Sequence, residues 1–303
     1  ANAIIDEPEG DLNTQAKKDS VINNFRKLGR MKNFDQSITV NYTLPLDKFP
    51  VTDWLGADYR YQAGYNWVAG PVNIPDPIAR EKNLQDIPDT LDFRNTIQNN
   101  RDHNFTGKID MVGLYNKIKF LKELNTPPRP VAPVRQQGKA AEANKDTVRS
   151  APGIIKGFFR LLMSLRSING TYTLTEGTIL PGFTQTRKFL GMDQDWKAPG
   201  WAFVFGGQDP NIRHDAARNN WLTESRYLTK PFQQLRNENI SIRAAVEPSP
   251  DLKIQLDLKK EGTSLFQEIF RYDSIEDGIS GNPLEYGFQS LNPSRSGSYK
   301  ISF

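Results

Sequence analysis

From Ile240 to Lys259 the chain alternates apolar and polar residues, with one break. Ile240, Ile242, Ala244 and Val246 alternate with Ser241, Arg243 and Glu247, and Leu252, Ile254, Leu256 and Leu258 then alternate with Lys253, Gln255, Asp257 and Lys259. A period of two is the side-chain repeat of an extended strand, so each half carries one apolar and one polar face. Between the halves stands Pro248-Ser249-Pro250-Asp251. Proline fixes φ and removes a backbone donor, so this tetrapeptide ends one strand and starts the next. The two strands are expected to be adjacent and antiparallel, with Val246 close to Leu252 and no strand between Ala244 and Ile254.

The same period recurs in about eight segments. Over 37–44, Ile38, Val40, Tyr42 and Leu44 oppose Ser37, Thr39, Asn41 and Thr43. Over 58–69, Tyr59, Tyr61, Ala63, Tyr65, Trp67 and Ala69 oppose Arg60, Gln62, Gly64 and Asn66. Phe105, Ile109 and Met111 oppose Asn104, Thr106, Lys108 and Asp110, and Ile168, Tyr172 and Leu174 oppose Asn169, Thr171, Thr173 and Thr175. Two last segments, 284–290 with Tyr286 and Phe288 and 298–303 with Tyr299, Ile301 and Phe303, close the chain. Each is near the length that a tilted membrane strand needs. The polar faces nominate Thr39, Asn41, Arg60, Gln62, Asn66, Thr171, Thr173, Arg243 and Lys253 to face water, and Ile38, Val40, Tyr59 and Tyr61 to face lipid or a packed layer.

Long connections separate the strands. Residues 1–36 form a polar N-terminal segment, 37–111 carry the first strands, and Gly70 to Arg101 is polar and Pro-punctuated. In 112–166 the spacing of Leu114, Ile118, Phe120, Leu121 and Leu124 predicts a helix over 112–124, and 126–150 is a Pro-rich solvated linker. A second helix is expected over Gly153 to Leu165, where Ile154, Ile155, Phe158, Phe159, Leu161, Leu162 and Leu165 make a wide apolar sector beside Lys156, Arg160 and Arg166. A basic helix of that kind suits either a membrane surface or a soluble core. The rest, 167–303, holds the later strands and a long loop over 182–235 rich in Gly, Trp and Asp.

Composition restricts the function class. Only 37% of the 303 residues are hydrophobic, yet 11% are aromatic, which excludes simple disorder. A mean hydropathy of -0.61 suits strands with one wet face. Cysteine is absent, which excludes disulfides and thiolate chemistry, and a net charge of +4 from 39 basic and 35 acidic residues gives no reason to invoke nucleic acid. The longest apolar stretch, Gly153 to Leu165, is far short of the roughly 20 residues of a membrane-spanning helix. Ala1 to Gly10, ANAIIDEPEG, lacks the apolar core of a signal peptide.

No catalytic, cofactor or metal constellation emerges. His103 and His214 are the chain's histidines, and neither lies in a nucleophile motif. Asp193 and Asp195 in GMDQDW lack EF-hand spacing and are expected to bond their own loop. Gly206-Gly207 lacks the Gly-Lys-Ser/Thr ending of a phosphate loop and is expected to be a turn. The Asn-x-Ser/Thr tracts at Asn41, Asn104, Asn169 and Asn239 lie in strand patterns, where such residues are simply the polar face. The cluster Trp196, Trp201, Phe203 and Phe205 stands out as a gating or partner-binding loop.

Pattern alone leaves a soluble antiparallel domain and a membrane barrel both open. The run from Ser167 to Thr223, SINGTYTLTEGTILPGFTQTRKFLGMDQDWKAPGWAFVFGGQDPNIRHDAARNNWLT, resembles the SprA (Sov) family, outer-membrane translocons of type IX secretion and gliding motility in the Bacteroidetes. The hairpin ENISIRAAVEPSPDLKIQLDLKKEG continues the likeness, as do NYTLPLDKFPVTDWLGADYRYQAGYNW and IDMVGLYNKIKFLKELN. The resemblance implies an all-β-dominated chain, an antiparallel transmembrane β-barrel segment with long loops and one or two short helices. It implies a cell outer-membrane location, export of folded proteins, and no enzymatic step or cofactor. Implied partners are the lipid bilayer, the rest of the barrel chain, a PorV-like shuttle barrel, a plug protein and secreted cargo. Family members are several times longer, so these residues would be a segment of such a chain. The alternatives are a soluble β-rich surface or binding module and a passive porin-like uptake barrel.

Overall fold

The structure is a computed structural model and describes residues 2–4, 14–26, 29–71, 74–75, 90–91, 93–119, 121–122, 163–249, 251–273 and 286–303. It is dominated by antiparallel β structure. In chain order the elements are β1 (Asn2–Ile4), α1 (Gln15–Arg26), β2 (Arg30–Leu44), β3 (Leu55–Val68), β4 (Ile74–Pro75), β5 (Thr90–Leu91) and β6 (Asn95–Asp110). They are followed by α2 (Met111–Lys117), β7 (Leu165–Phe183), α3 (Trp201–Val204), α4 (Ile212–Arg218), β8 (Phe232–Ser249), β9 (Leu252–Tyr272) and β10 (Phe288–Ser302). One sheet has the order β1-β2-β3-β6-β7-β8-β9-β10, and β4 and β5 form a separate small ladder. Among the described residues the large sheet is open: nothing joins β10 to β1 or β2.

The strands are longer than their alternating stretches. β7 has 19 residues and β9 has 21. The two closing segments merge into the single strand β10 through a register shift between Leu291 and Ser294. Asn95 to Arg101 already belongs to β6, and residues 2–4, 15–26 and 30–36 of the N-terminal segment contribute β1, α1 and the start of β2.

The proline turn joins neighbouring strands as expected, but a shift between Val246 and Ser249 moves the pairing. Val246 faces Ile254, Ala244 faces Leu256, and Leu252 pairs with Ser249. The bulge sets Glu247 and Pro248 opposite Lys253, one residue more than a strict hairpin would carry.

The helix expected over 112–124 forms over Met111–Lys117 and breaks at Ile118, which takes an extended conformation and sits exposed. Lys119, Leu121 and Lys122 are helical again, the Lys122 amide donating to the Ile118 carbonyl at 2.9 Å. Asp110 caps it, accepting from the backbone amides of Val112 at 3.1 Å and Gly113 at 3.2 Å. Lys117 pairs with Asp53 at 2.7 Å and donates to the Pro50 carbonyl, tying α2 to the β2–β3 turn. The linker 126–150 lies outside the described residues. So does most of the second expected helix, of which Met163 and Ser164 form a turn and Leu165 opens β7.

The ends of the sheet differ. One end carries the β2–β3 turn, the proline turn and α2; the other carries the connections after β3, β7 and β9. Residues 184–231, with α3 and α4, fold back over one face of the sheet at that second end. Beneath them lies the buried apolar core, including Tyr65, Trp67, Ile97, Leu180, Phe183, Phe203, Val204, Phe232, Phe270 and Phe288. The long loop is therefore a packed insert.

Candidate functional site

Strand register sorts the side chains into two faces. Asn41, Arg60, Asn104, Thr173, Asn239, Glu261 and Lys300 pair in succession across seven strands. One row toward the turn end follow Thr43, Asp58, Thr106, Thr171, Ser241, Lys259 and Ser302, again all polar. The residues that the sequence nominates to face water, Thr39, Asn41, Arg60, Gln62, Asn66, Thr171, Thr173, Arg243 and Lys253, all belong to this face. Side chains there bond along the surface: Arg243 to Asp257 at 2.6 Å, Asn104 to Thr173 at 3.2 Å, Thr43 to Asp58 at 2.7 Å.

The opposite face is apolar through the turn-end half. Tyr42, Tyr59, Phe105, Tyr172, Ile240, Lys260 and Ile301 form one row, led by aromatic side chains. Leu44, Ala57, Gly107, Gly170, Ile242 and Leu258 form the next, then Leu55, Ile109, Ile168, Ala244 and Leu256, then Val246 and Ile254. Much of this belt is exposed, including Val40, Tyr42, Phe105, Ile242, Ile254, Leu256, Tyr299 and Ile301. A contiguous apolar surface of this kind marks an interaction face.

Toward the insert the belt ends sharply. Two rows from the aromatic row, Arg101 binds Glu176 through Nε at 2.7 Å, and Arg236 approaches the same carboxylate at 3.6 Å. Between the two rows, Tyr61 and His103 lie side by side, and the Tyr59 hydroxyl shares a 2.8 Å hydrogen bond with His103 Nδ1.

Beyond this boundary the same face holds the insert. Asn99, buried on β6, donates through Nδ2 to the carbonyls of Phe203 and Gly207, each at 2.8 Å, and its Oδ1 accepts from Gln208 at 2.9 Å. Thr178 donates to Gln208 Oε1 at 2.7 Å, and Gln234 donates to the Asp209 carbonyl at 2.9 Å. Arg187 lies 4.0 Å over the Phe34 ring, and burial there holds its guanidinium below the usual arginine range. Gly191, at φ 81°, lies so close to Tyr65 that a Cβ would come within 2.7 Å of its ring. Asn99 and Gln234, which interrupt the strand alternation, thus satisfy backbone carbonyls of the insert, and Thr178 satisfies its Gln208 side chain.

The four aromatics of the insert divide. Trp196 stacks on Trp201 at 5.5 Å, Trp201 stacks on Phe205 at 5.7 Å, and Phe189 extends the ladder 5.8 Å beyond Trp196. All are exposed, Trp196 by 46% and Phe189 by 63%. Phe203 departs from them: it is 3% exposed, edge-on to Tyr65 at 6.1 Å, and belongs to the core. One end of the ladder is fixed where the Tyr61 hydroxyl donates to the Phe205 carbonyl at 2.5 Å.

Asp193 Oδ1 accepts from the amides of Lys197 at 2.8 Å and Ala198 at 3.1 Å, a turn-closing role. His214 packs edge-on against Phe270 at 5.2 Å. Among the described residues no group of three or more His, Asp or Glu side chains could hold a metal, and no helix is long and apolar enough to cross a membrane, which says nothing about strands. No family model and no curated protein matches this chain.

Proposed function

We propose that this chain is a stretch of the wall of a large outer-membrane β-barrel through which protein cargo passes. The observation that carries the reading is the opposition of an exposed apolar belt to a face that is polar row after row. The belt faces lipid, and the polar face lines a water-filled lumen. From Leu252 to Lys260, β9 rises roughly 27 Å, which a tilt near 40° reduces to about 20 Å, close to the apolar band of such barrels. The row containing Tyr42, Tyr59, Phe105 and Tyr172 sits at the rim, as interfacial aromatic girdles do. The end with the β2–β3 and proline turns is the periplasmic side, and the insert end faces outward.

The open sheet fits a wall better than a finished barrel. Lipid offers no partners to backbone N–H and C=O groups, so the outer edges of β2 and β10 need further strands. The rest of the barrel chain supplies them. Passage of folded protein, and not of small solutes alone, is what the likeness to SprA (Sov) sequences adds. The same likeness brings the shuttle barrel, plug protein and cargo as partners, and passage of this kind asks no chemistry of these residues.

These 303 residues contain no cysteine, so each introduced thiol is read against the unsubstituted protein as background. In outer membranes, single substitutions Asn41→Cys and Thr173→Cys react with a bulky water-soluble maleimide, while Tyr42→Cys and Tyr172→Cys react only with a lipid-soluble one. Equal labelling of both faces, or release of the protein without detergent, refutes the wall. Export of a folded reporter distinguishes secretion from passive uptake.

A further inference from the structure

The exposed aromatic ladder of the insert lies outside the strands, and the lumen and belt make no use of it. Its place is fixed at one end: the Phe205 carbonyl accepts from Tyr61, and Tyr61 stands next to Tyr59, a member of the aromatic row, on the same face of β3. The ladder therefore starts where the apolar belt gives way to the charged row of Arg101, Glu176 and Arg236. Leu190 adds apolar surface beside Phe189, and the chain neighbours of Phe189 and Trp196 are exposed and charged: Lys188, bonded to Gln194 at 2.7 Å, Asp195 and Lys197. Stacked indoles with polar and charged neighbours match the boundary between acyl chains and headgroups, since the rings take the apolar side and the charged groups the wet one.

We infer that Phe189, Trp196, Trp201 and Phe205 form a membrane-interface anchor, through which the insert rests on the lipid surface beside the barrel wall. This rests on the proposal that the belt faces lipid. Continuity with the belt selects lipid as the occupant, because a protein seated on the ladder would have to share the rim with the bilayer. The insert is held from the wall side by the Asn99 hydrogen bonds and by the ion pair of Arg213 with Glu268 of β9, and from the membrane side by the ladder. A loop fixed at both sides keeps the outer mouth of the barrel at a set height above the leaflet.

The test uses the full-length protein in phosphatidylcholine–phosphatidylglycerol bilayers whose acyl chains carry bromine either near the headgroup or deep in the core. The emission lost on Trp196→Phe together with Trp201→Phe isolates the ladder, because phenylalanine preserves the stack. That component is expected to be quenched by shallow bromine more than by deep bromine, and to be shielded from aqueous iodide. Free quenching by iodide overturns the anchor, as does shielding from iodide and both bromines, which means that protein covers the ladder. A second variant, Leu256→Trp, reports on the belt. If its added emission is quenched by deep bromine while the ladder's is quenched by neither bromine, the wall stands and the anchor falls; if neither probe is quenched by either bromine, both fall.

Discussion

Arg213, carried by α4 of the insert, is ion-paired with Glu268 of β9, whose side chain is 1% exposed. The Ser290 hydroxyl donates to the same carboxylate, and the guanidinium lies over the rings of Phe232 at 5.0 Å and Phe266 at 5.3 Å. Removing one member of a buried pair leaves the other desolvated without compensation, whereas replacing both by apolar groups is often neutral. Arg213→Ala is therefore expected to destabilise the docked insert by about 3–5 kcal/mol. Arg213→Met with Glu268→Leu should recover most of that loss. Urea unfolding combined with protease cleavage within 184–231 measures both, and a double variant as weak as the single one removes the ion pair as the latch.

Asn99 gives a smaller effect of the same kind. Its amide satisfies two carbonyls of the insert and accepts one donor, all under cover. Asn99→Ala leaves these groups buried and unpaired, at a cost of about 1–3 kcal/mol. Faster amide exchange at Phe203 to Gln208, with the ladders between β2 and β3 unaffected, is the expected signature. Uniform acceleration across the sheet would place the role of Asn99 in the strand and not in the insert.

How far the sequence disclosed this fold depends on what covers each residue. In the turn-end half, one face is polar and the other apolar, so alternation at Ile38 to Leu44 and Leu252 to Leu258 gave the strand and its two sides, and the proline turn gave β9 its neighbour β8. Under the insert the covered face must present donors and acceptors to the insert's backbone and polar side chains. Asn99, Thr178 and Glu268 replace apolar residues there, and the period of two vanishes although the strand continues. The register shift between Leu291 and Ser294 hid β10 in the same way, by breaking one strand's pattern into two. The aromatic cluster was visible as composition only. Yet Trp201 and Phe205 are four apart and Phe203 lies between them, so a helical turn puts the first two on one side and Phe203 on the other. Phe189, distant in sequence, carried no such signal.

Ile242 and Ser241 offer the sharpest comparison of the two faces. Ile242 sits in a central row of the belt between Gly170 and Leu258, while Ser241 lies between Thr171 and Lys259 on the polar face. An arginine facing lipid near the midplane costs roughly 2–4 kcal/mol, and one facing the lumen is tolerated. Ile242→Arg should therefore lower the stability of the bilayer-inserted protein by that amount, and Ser241→Arg should leave it nearly unchanged. Reversible unfolding from bilayers provides the values. Equal costs at these adjacent positions would reverse or erase the assignment of faces.

The last expectation concerns passage without chemistry. Deleting a group that stabilises a transition state commonly costs several orders of magnitude in rate, because no neighbour replaces it. A lumen has no such dependence on one side chain. Asp195 is exposed in its loop, Asp193 closes a turn, and His214 rests on Phe270, so each has a structural setting that asks nothing of its acid–base chemistry. His214→Ala, Asp193→Ala and Asp195→Ala in the full-length protein should leave export of a reporter cargo largely unchanged where heat-modifiable mobility shows an assembled barrel. Deleting residues 200–207 should alter it, since that segment supplies Phe203 to the core and Trp201 and Phe205 to the ladder. Loss of export from His214→Ala with the barrel intact would mean that the imidazole takes part in a chemical step, and the passage reading would fall.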